Sequence, residues 1–206
     1  MKSKFLVLFL FPVLLVAQNQ AFKLVKKLQI STKFENQNEF CKWYYDSITY
    51  EKARTSKKFE CLKLNYTSDT AKVEAWLYKP IDTESVKFPL VIYNRGGMGN
   101  FGNLEETNMV DFYKIAEAGY VVLATKTRFA GRNGKFDQHG GIDVDDIVNL
   151  QKIYKDLNFI DTNNVFMYGF SRGGQNCHQA SIRMKLNAMA ISAGTTDWIS
   201  RTADRP

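Results

Sequence analysis

The chain has 206 residues, a length typical of one domain. Hydrophobic residues make up 45% of it and charged residues 24%, with 13 Gly and 4 Pro, which excludes a disordered, collagen-like or low-complexity chain. The formal net charge is +7, but no aromatic RNA-binding motif, zinc-finger spacing or helix-turn-helix pattern accompanies it, so we interpret the charge as solvated surface rather than a nucleic-acid site.

The first residues predict export. Lys2 and Lys4 precede an apolar run over residues 5–17, and polar residues follow it, which is the pattern of a secretory signal peptide. The run is shorter than the roughly 20 residues that a membrane-spanning helix needs. We expect cleavage after Ala17 and a periplasmic or secreted product without stable membrane association. A retained N-terminal anchor is the alternative.

Three cysteines are present: Cys41, Cys61 and Cys177. In an oxidising compartment Cys41 and Cys61 could pair and leave Cys177 as a buried thiol, but the sequence carries no geometry and the pairing stays open. The odd count and wide spacing argue against a disulfide-rich scaffold or a zinc site. We expect neither a metal nor a cofactor.

The pattern changes near residue 57. Residues 18–56 are polar and aromatic-rich, and we expect a partly helical segment there before a domain over residues 57–206. Apolar and polar residues alternate in KKFECLKLNY and AKVEAWLYKP, which TSDT connects. This alternation predicts an antiparallel hairpin whose second strand ends at Pro80.

Beyond Pro89, short unbroken apolar runs alternate with helical patterns. Unbroken runs indicate strands that are covered on both faces. The order predicts an α/β fold with an open, mostly parallel sheet and helices on both faces. Asp143, Asp145 and Asp146 suit the N-terminus of the second helix. The predicted strands are residues 90–93, 120–124, 165–168 and 188–191, and the predicted helices are residues 105–118 and 143–157.

The segment NVFMYGFSRGGQNCHQASIRM contains a G-x-S-x-G motif between an apolar strand and a helical pattern. This is the context of a nucleophile elbow. We expect Gly169 and Gly173 to let the strand and helix close on each other, and Gly174 to allow close packing. The turn should then expose Ser171 Oγ and direct the Arg172 N–H at a substrate oxyanion. A glycine-rich turn or a phosphate-binding loop is the alternative, but neither G-x-G-x-x-G nor a Walker lysine is present.

A second glycine-rich stretch, NRGGMGNFG, follows the strand at residues 90–93. Gly96 and Gly97 leave backbone N–H groups uncovered and able to approach a ligand. An oxyanion hole takes its second donor from a loop in this position. An ordinary flexible loop is the alternative.

Residues 73–206 resemble the catalytic domain of the prolyl oligopeptidase-like serine peptidases, in the α/β-hydrolase superfamily. The resemblance implies that Ser171 is the nucleophile, that the Arg172 N–H is one oxyanion donor, and that Gly96 and Gly97 lie where the other is supplied. Arg95 stands where relatives often have histidine. In some relatives a large propeller domain restricts access to the active site. A chain of this length has no room for one, so we expect a site that is open to solvent. The segments that carry the resemblance are VEAWLYKP, PLVIYNRGGMGNFG, AGYVVLATKTR, GKFDQHGGIDVDDIVNL, DTNNVFMYGFSRGG and MAISAGTTDW.

Acyl transfer by serine also needs a base and an acid that orients it. His178 lies about 10 Å along the predicted helix from Ser171. His139 precedes the serine, whereas in α/β-hydrolases the triad histidine follows the serine and the acid in the chain. We therefore interpret both histidines as packing or surface residues. The resemblance implies that the triad acid and histidine lie beyond Pro206. Asp197 follows a predicted strand and is an alternative for the acid, but the resembling proteins commonly have a non-triad Asp in that position. We therefore expect a fragment or truncated product that is inactive alone.

An incomplete sheet would leave the strand at residues 188–191 as an unpaired apolar edge, which favours aggregation. The expected function is that of an exported serine hydrolase that cleaves peptide bonds through an acyl-enzyme on Ser171. A carboxylesterase or dienelactone-type hydrolase is the alternative, and a non-catalytic binding protein also stays open. The oligomeric state is not indicated.

Overall fold

In the computed structural model, the described residues are 21–84, 86–99, 101–130, 136–194 and 197. The expected signal peptide at residues 1–17 lies outside them. Within the described residues, one sheet has the strand order β1-β2-β3-β5-β4-β6-β7. Its strands are β1 (Phe22–Leu28), β2 (Phe59–Ser68), β3 (Ala71–Pro80), β4 (Phe88–Asn94), β5 (Val121–Thr125), β6 (Ile160–Phe170) and β7 (Ala188–Ser192).

The sheet is mostly parallel, as predicted. β4 pairs in parallel with both β5 and β6, and β6 pairs in parallel with β7. β3 is antiparallel to both β2 and β5, and β1 is antiparallel to β2. Five of these seven strands therefore run in one direction, and β1 and β3 oppose them. The predicted hairpin is β2–β3, and its second strand ends at Pro80.

Helices cover both faces, and each face has its own apolar core. In β5, Val121 and Leu123 belong to one core, and Val122 and Ala124 belong to the other. This explains why the strand reads as an unbroken apolar run. One face carries α1 (Glu39–Tyr44), α2 (Ser47–Thr55) and α3 (Met109–Glu117), and the other carries α4 (Asp143–Asn149), α5 (Gln151–Tyr154) and α6 (Arg172–Ser181).

The second predicted helix is divided in two at Leu150. This residue keeps helical angles (φ −57°, ψ −21°), but its N–H donates to the carbonyl of Ile147 at 3.2 Å, three residues back. The tighter turn separates α4 from α5. Asp143 begins α4, as predicted.

The segment before residue 57 contains α1 and α2, and also β1. Side chains capping the N-termini account for where the helices begin, since Asn38 accepts from the Cys41 N–H and Asp46 from the Thr49 N–H, each at 2.8 Å. β1 was not predicted. Most of its side chains are exposed, so the strand lacks the alternation of buried residues that marks a strand in sequence.

All three cysteines are buried free thiols, so the structure does not contain the Cys41–Cys61 bridge that the sequence left open. Burial raises the pKa of the Cys177 thiol to about 11, and it raises the pKa of Cys61 further. Of the helices described, none combines the length and apolar character needed to cross a bilayer.

Candidate active site

Ser171 lies on a sharp turn between β6 and α6, with φ 52° and ψ −119°. Its N–H donates to the Ser192 carbonyl of β7 at 2.8 Å, and its carbonyl accepts from the Gly174 N–H at 2.9 Å. A positive φ at a residue with a side chain costs about 1–3 kcal/mol and persists only where the surroundings impose it. The strand–turn–helix arrangement predicted for an elbow is therefore present, and its backbone is strained at the serine.

The three elbow glycines are sterically required. A Cβ on Gly169 would overlap the carbonyl oxygen of Gly173, and a Cβ on Gly173 would overlap the carbonyl oxygen of Asn94. A Cβ on Gly174 would lie 2.5 Å from Cγ2 of Ile191. Glycine at these positions lets α6 close against the ends of β4, β6 and β7.

The loop of residues 95–102 lies directly beside the serine. A Cβ on Gly96 would lie 3.2 Å from Ser171 Cβ and 3.1 Å from Phe170 Cδ1. The loop and the serine each follow the carboxyl end of a strand, and these two strands are parallel neighbours, since Asn94 of β4 is in register with Gly169 of β6. The glycine-rich stretch and the serine motif are thus brought together.

The Arg172 N–H belongs to the first residue of α6. The first N–H groups of a helix have no acceptor within it, and they carry the positive end of the helix dipole. A donor in this position suits a developing negative charge next to Ser171.

The side chain of Arg172 has a role that the sequence pattern did not indicate. Its Nη1 and Nη2 donate to the two carboxylate oxygens of Asp137 at 2.6 and 2.5 Å. Nη2 also donates to Asp143 at 2.5 Å, and Nη1 donates to the Gly97 carbonyl at 3.1 Å. Both carboxylates are buried, with side-chain exposures of 1% and 0%. One guanidinium therefore connects the elbow, the 95–102 loop and residues 137–143.

Asp137 also accepts from the backbone N–H groups of Gly99, at 2.9 Å, and His139, at 3.2 Å. Burial acts to raise the pKa of Asp137, but the hydrogen bonds from Arg172 and these backbone groups outweigh it and hold the pKa at about 2. Asp137 is therefore ionised at neutral pH. It helps to fix the 95–102 loop by accepting the hydrogen bond from the Gly99 N–H.

Arg95 occupies the interior of the 95–102 loop. It is buried, and its guanidinium donates to the carbonyls of Gly96 and Phe101 at 3.0 and 3.2 Å and to that of Gly99 at 3.3 Å. Burial, and then the neighbouring charge of Arg172, lower the pKa of Arg95 to about 10. It stays cationic at neutral pH and holds the loop through its carbonyl oxygens.

The two histidines and Asp197 lie in different places. His178 is exposed on α6, and Asp197 is exposed beyond β7. His139 lies next to the elbow helix: its carbonyl accepts from Gln175 Nε2 at 2.7 Å, and its Nε2 contacts Met98 Sδ. Gln179 Nε2 donates to the adjacent Gly140 carbonyl at 2.9 Å, so α6 holds this loop with its side chains.

No protein-family model matches the chain, and no curated protein sequence matches it. Solved structures do. An acylaminoacyl peptidase in complex with Z-Gly-Gly-Phe-chloromethyl ketone matches with a TM-score of 0.61 and 23% identity over 71% of this chain and 25% of that one. Acylaminoacyl peptidase from Pyrococcus horikoshii matches with a TM-score of 0.62 and 21% identity over 77% of this chain and 26% of that one. The esterase Est22 matches with a TM-score of 0.60 and 17% identity over 74% of this chain and 49% of that one.

These likenesses show the fold. The chain has the α/β-hydrolase fold that the sequence predicted, and it spans about a quarter of the two peptidases and about half of the esterase.

Proposed function

We propose that the chain carries the nucleophile and the oxyanion hole of a serine hydrolase. The observation that supports this most directly is the strained backbone of Ser171, φ 52°, at the end of β6 and beside Gly96. A serine on a strained turn at a helix N-terminus, with a second backbone loop against it, is the arrangement that acyl transfer requires.

In the proposed reaction, Ser171 Oγ attacks the carbonyl carbon of an acyl compound. The Arg172 N–H and an N–H of the Gly96–Gly97 stretch donate to the oxygen as it becomes negative. Departure of the amine or alcohol leaves an acyl-enzyme, which water hydrolyses to regenerate the serine. We propose that the histidine base and its orienting acid are encoded beyond Pro206, as the resemblance to prolyl oligopeptidase-like enzymes implies.

Peptide bonds are the first candidate substrates, and the likeness to two acylaminoacyl peptidases supports them. Esters are the second candidate, supported by the likeness to an esterase. The elbow serves both, since amides and esters share the attack on a carbonyl and differ in the leaving group. We also propose that the enzyme is exported, from the signal-peptide pattern at residues 1–17.

A fluorophosphonate probe, which reacts covalently with activated serines, tests this proposal. The probe is applied to the 206-residue chain and, where the reading frame continues beyond the Pro206 codon, to the extended product. We expect Ser171 to be labelled in the protein that contains the base, and Ser171→Ala to abolish labelling.

Ser181→Ala is the matched control. Ser181 lies on the same helix, and its hydroxyl donates to the His178 carbonyl at 2.8 Å, so labelling should persist without it. If the extended product leaves Ser171 unlabelled, the proposed function is wrong.

A further inference from the structure

An exposed aromatic surface begins next to the elbow. Phe40, Trp43 and Tyr44 of α1 form what we term the aromatic shelf. The rings of Phe40 and Tyr44 stack at a centroid distance of 6.1 Å, and Trp43 lies 6.4 Å from Tyr44. Tyr44 in turn meets the edge of Phe170 at 6.4 Å. Phe170 directly precedes Ser171, so contacting rings run from α1 to the residue beside the nucleophile.

The shelf faces solvent. Trp43 is 78% exposed and Phe40 is 71% exposed. Met98 and Phe101 are also exposed, in the loop whose Gly96 lies beside Phe170. Large apolar side chains that are exposed together are a feature of binding sites. Here they lie at the carboxyl edge of the sheet, where ligands of open α/β sheets bind.

The helix that carries the shelf is held firmly. Its next residue, Tyr45, donates its hydroxyl hydrogen bond to Asp111 of α3 at 2.9 Å, and Tyr93 at the end of β4 donates to the same carboxylate at 3.4 Å. Cys41 anchors the opposite face of α1 in the core. A fixed aromatic surface loses little conformational entropy on binding, which favours affinity.

Charge favours a neutral occupant. The acidic and basic side chains of α1 are Glu39 and Lys42, which pair with each other at 3.4 Å, so the helix presents no net charge beside the rings. Aromatic rings bind apolar groups through buried area and ring–ring contact.

We propose that the aromatic shelf binds an uncharged aromatic group of the acyl compound that Ser171 attacks. The identification of that compound as a substrate rests on the proposed function, whereas binding of the aromatic group does not. The occupant is thus an ester or peptide with an aromatic side chain near the reacting carbonyl.

The test measures binding to the Ser171→Ala chain, in which the serine cannot consume the ligand. N-acetylphenylalanine methyl ester and N-acetylalanine methyl ester are compared by saturation-transfer NMR titration. We expect the phenyl compound to bind about fivefold more tightly. Adding Phe40→Ala and Trp43→Ala together should bring the two affinities within about twofold of each other.

Ile48→Ala is the matched control, because Ile48 is 67% exposed on the neighbouring α2 and makes none of the ring contacts of the shelf. It should leave the phenyl preference unchanged. Circular dichroism of each variant establishes that the fold is retained, since the substituted side chains lie at the surface.

Equal affinities for the two esters, or a phenyl preference that survives removal of both rings, would overturn the proposal. A concentration-dependent dimer that the double variant abolishes would assign the shelf to a second copy of the chain and would also overturn it. Phenyl preference without fluorophosphonate labelling of Ser171 would support the shelf while removing the proposed hydrolase. Fluorophosphonate labelling of Ser171 without a phenyl preference would support the proposed hydrolase and overturn the shelf.

Discussion

Arg172 and Asp137 form a bidentate ion pair, at 2.6 and 2.5 Å, immediately behind the candidate nucleophile. The residue whose backbone N–H faces the proposed oxyanion is thus anchored through its own side chain. The same guanidinium donates to the Gly97 carbonyl, so both proposed donor segments are positioned by one charged group. Bidentate pairing fixes orientation as well as distance.

Removing this guanidinium should destabilise the fold. Arg172→Ala leaves the buried carboxylates of Asp137 and Asp143 without their cation. Breaking a buried pair by deleting one partner costs about 3–5 kcal/mol. We expect a loss of this size in the free energy of unfolding, measured by urea denaturation.

Arg183→Ala provides the matched comparison. Arg183 pairs with Asp145 at 2.7 Å, and both side chains are partly exposed, at 48% and 28%. Exposed pairs contribute about 0–1 kcal/mol. Equal losses for Arg172→Ala and Arg183→Ala would contradict the role assigned to burial.

The ion pair also predicts a pH dependence. The pKa of Asp137 is about 2 in the folded state, below the value of about 3.9 typical of an unfolded chain. A lowered pKa contributes stability that is complete above about pH 4 and is lost as the pH falls towards 2.

The comparison is between the wild-type chain and Asp137→Asn in urea melts from pH 7 to pH 2. The stability advantage of the wild type should be constant down to about pH 4 and shrink below it. An advantage that is unchanged at pH 2 would show that the carboxylate charge is not what Arg172 stabilises.

The parts of the fold that were predictable carry their signal within a few residues. β4, β5 and β6 show as unbroken apolar runs because both of their faces are covered. β7 shows the same pattern although most of its residues are exposed. The elbow shows as a motif because its glycines and serine lie within six consecutive residues. β1 was missed because its lysines and its exposed Leu24 give no buried side to detect.

The ion-pair network was missed for a different reason. Arg172 is 35 residues from Asp137 and 29 from Asp143, and the pairing forms because the segment between β5 and α4 lies against α6 in the fold. The sequence signal for the network is the set of aspartates in GKFDQHGGIDVDDIVNL, which includes Asp137 and Asp143. The sequence pattern accounted for Asp143 only as the N-terminus of a helix. Arg95 gave no sequence signal for its contacts with carbonyl groups of its own loop.

The packing of the elbow predicts a selective steric effect. Gly173→Ala places a methyl group against the Asn94 carbonyl oxygen, which must move the elbow away from β4. We expect a loss of about 1–3 kcal/mol in the free energy of unfolding. In the extended product that contains the base, we also expect loss of fluorophosphonate labelling at Ser171.

Gly119→Ala distinguishes this effect from a general cost of replacing glycine. Gly119 has φ +93°, but nothing lies within 4 Å of an added Cβ. The variant should be destabilised by backbone strain and still label as the parent does. Retained labelling in Gly173→Ala would contradict the close packing of the elbow.

The cysteines give an inexpensive test of the core. Cys41, Cys61 and Cys177 are free and buried, and the pKa of each is raised by burial. Reaction of a thiol requires access and the thiolate form. A disulfide-exchange reagent should therefore detect no fast-reacting thiol in the native chain and three thiols in urea. A single thiol in the unreduced, unfolded chain would instead indicate the Cys41–Cys61 bridge.

The two edges of the sheet differ in their protection against association. β1 carries exposed lysines along FKLVKKL, whereas β7 is AMAIS, and within the described residues no strand pairs with its outer side. An apolar edge without charge is a template for pairing with another chain, and lysine is a common means of blocking it. Met189→Lys should therefore slow aggregation of the isolated chain, followed by light scattering as the concentration rises. Leu24→Lys adds the same charge to the edge that already has lysines and should change little, so equal improvement in both variants would assign the effect to net charge rather than to β7.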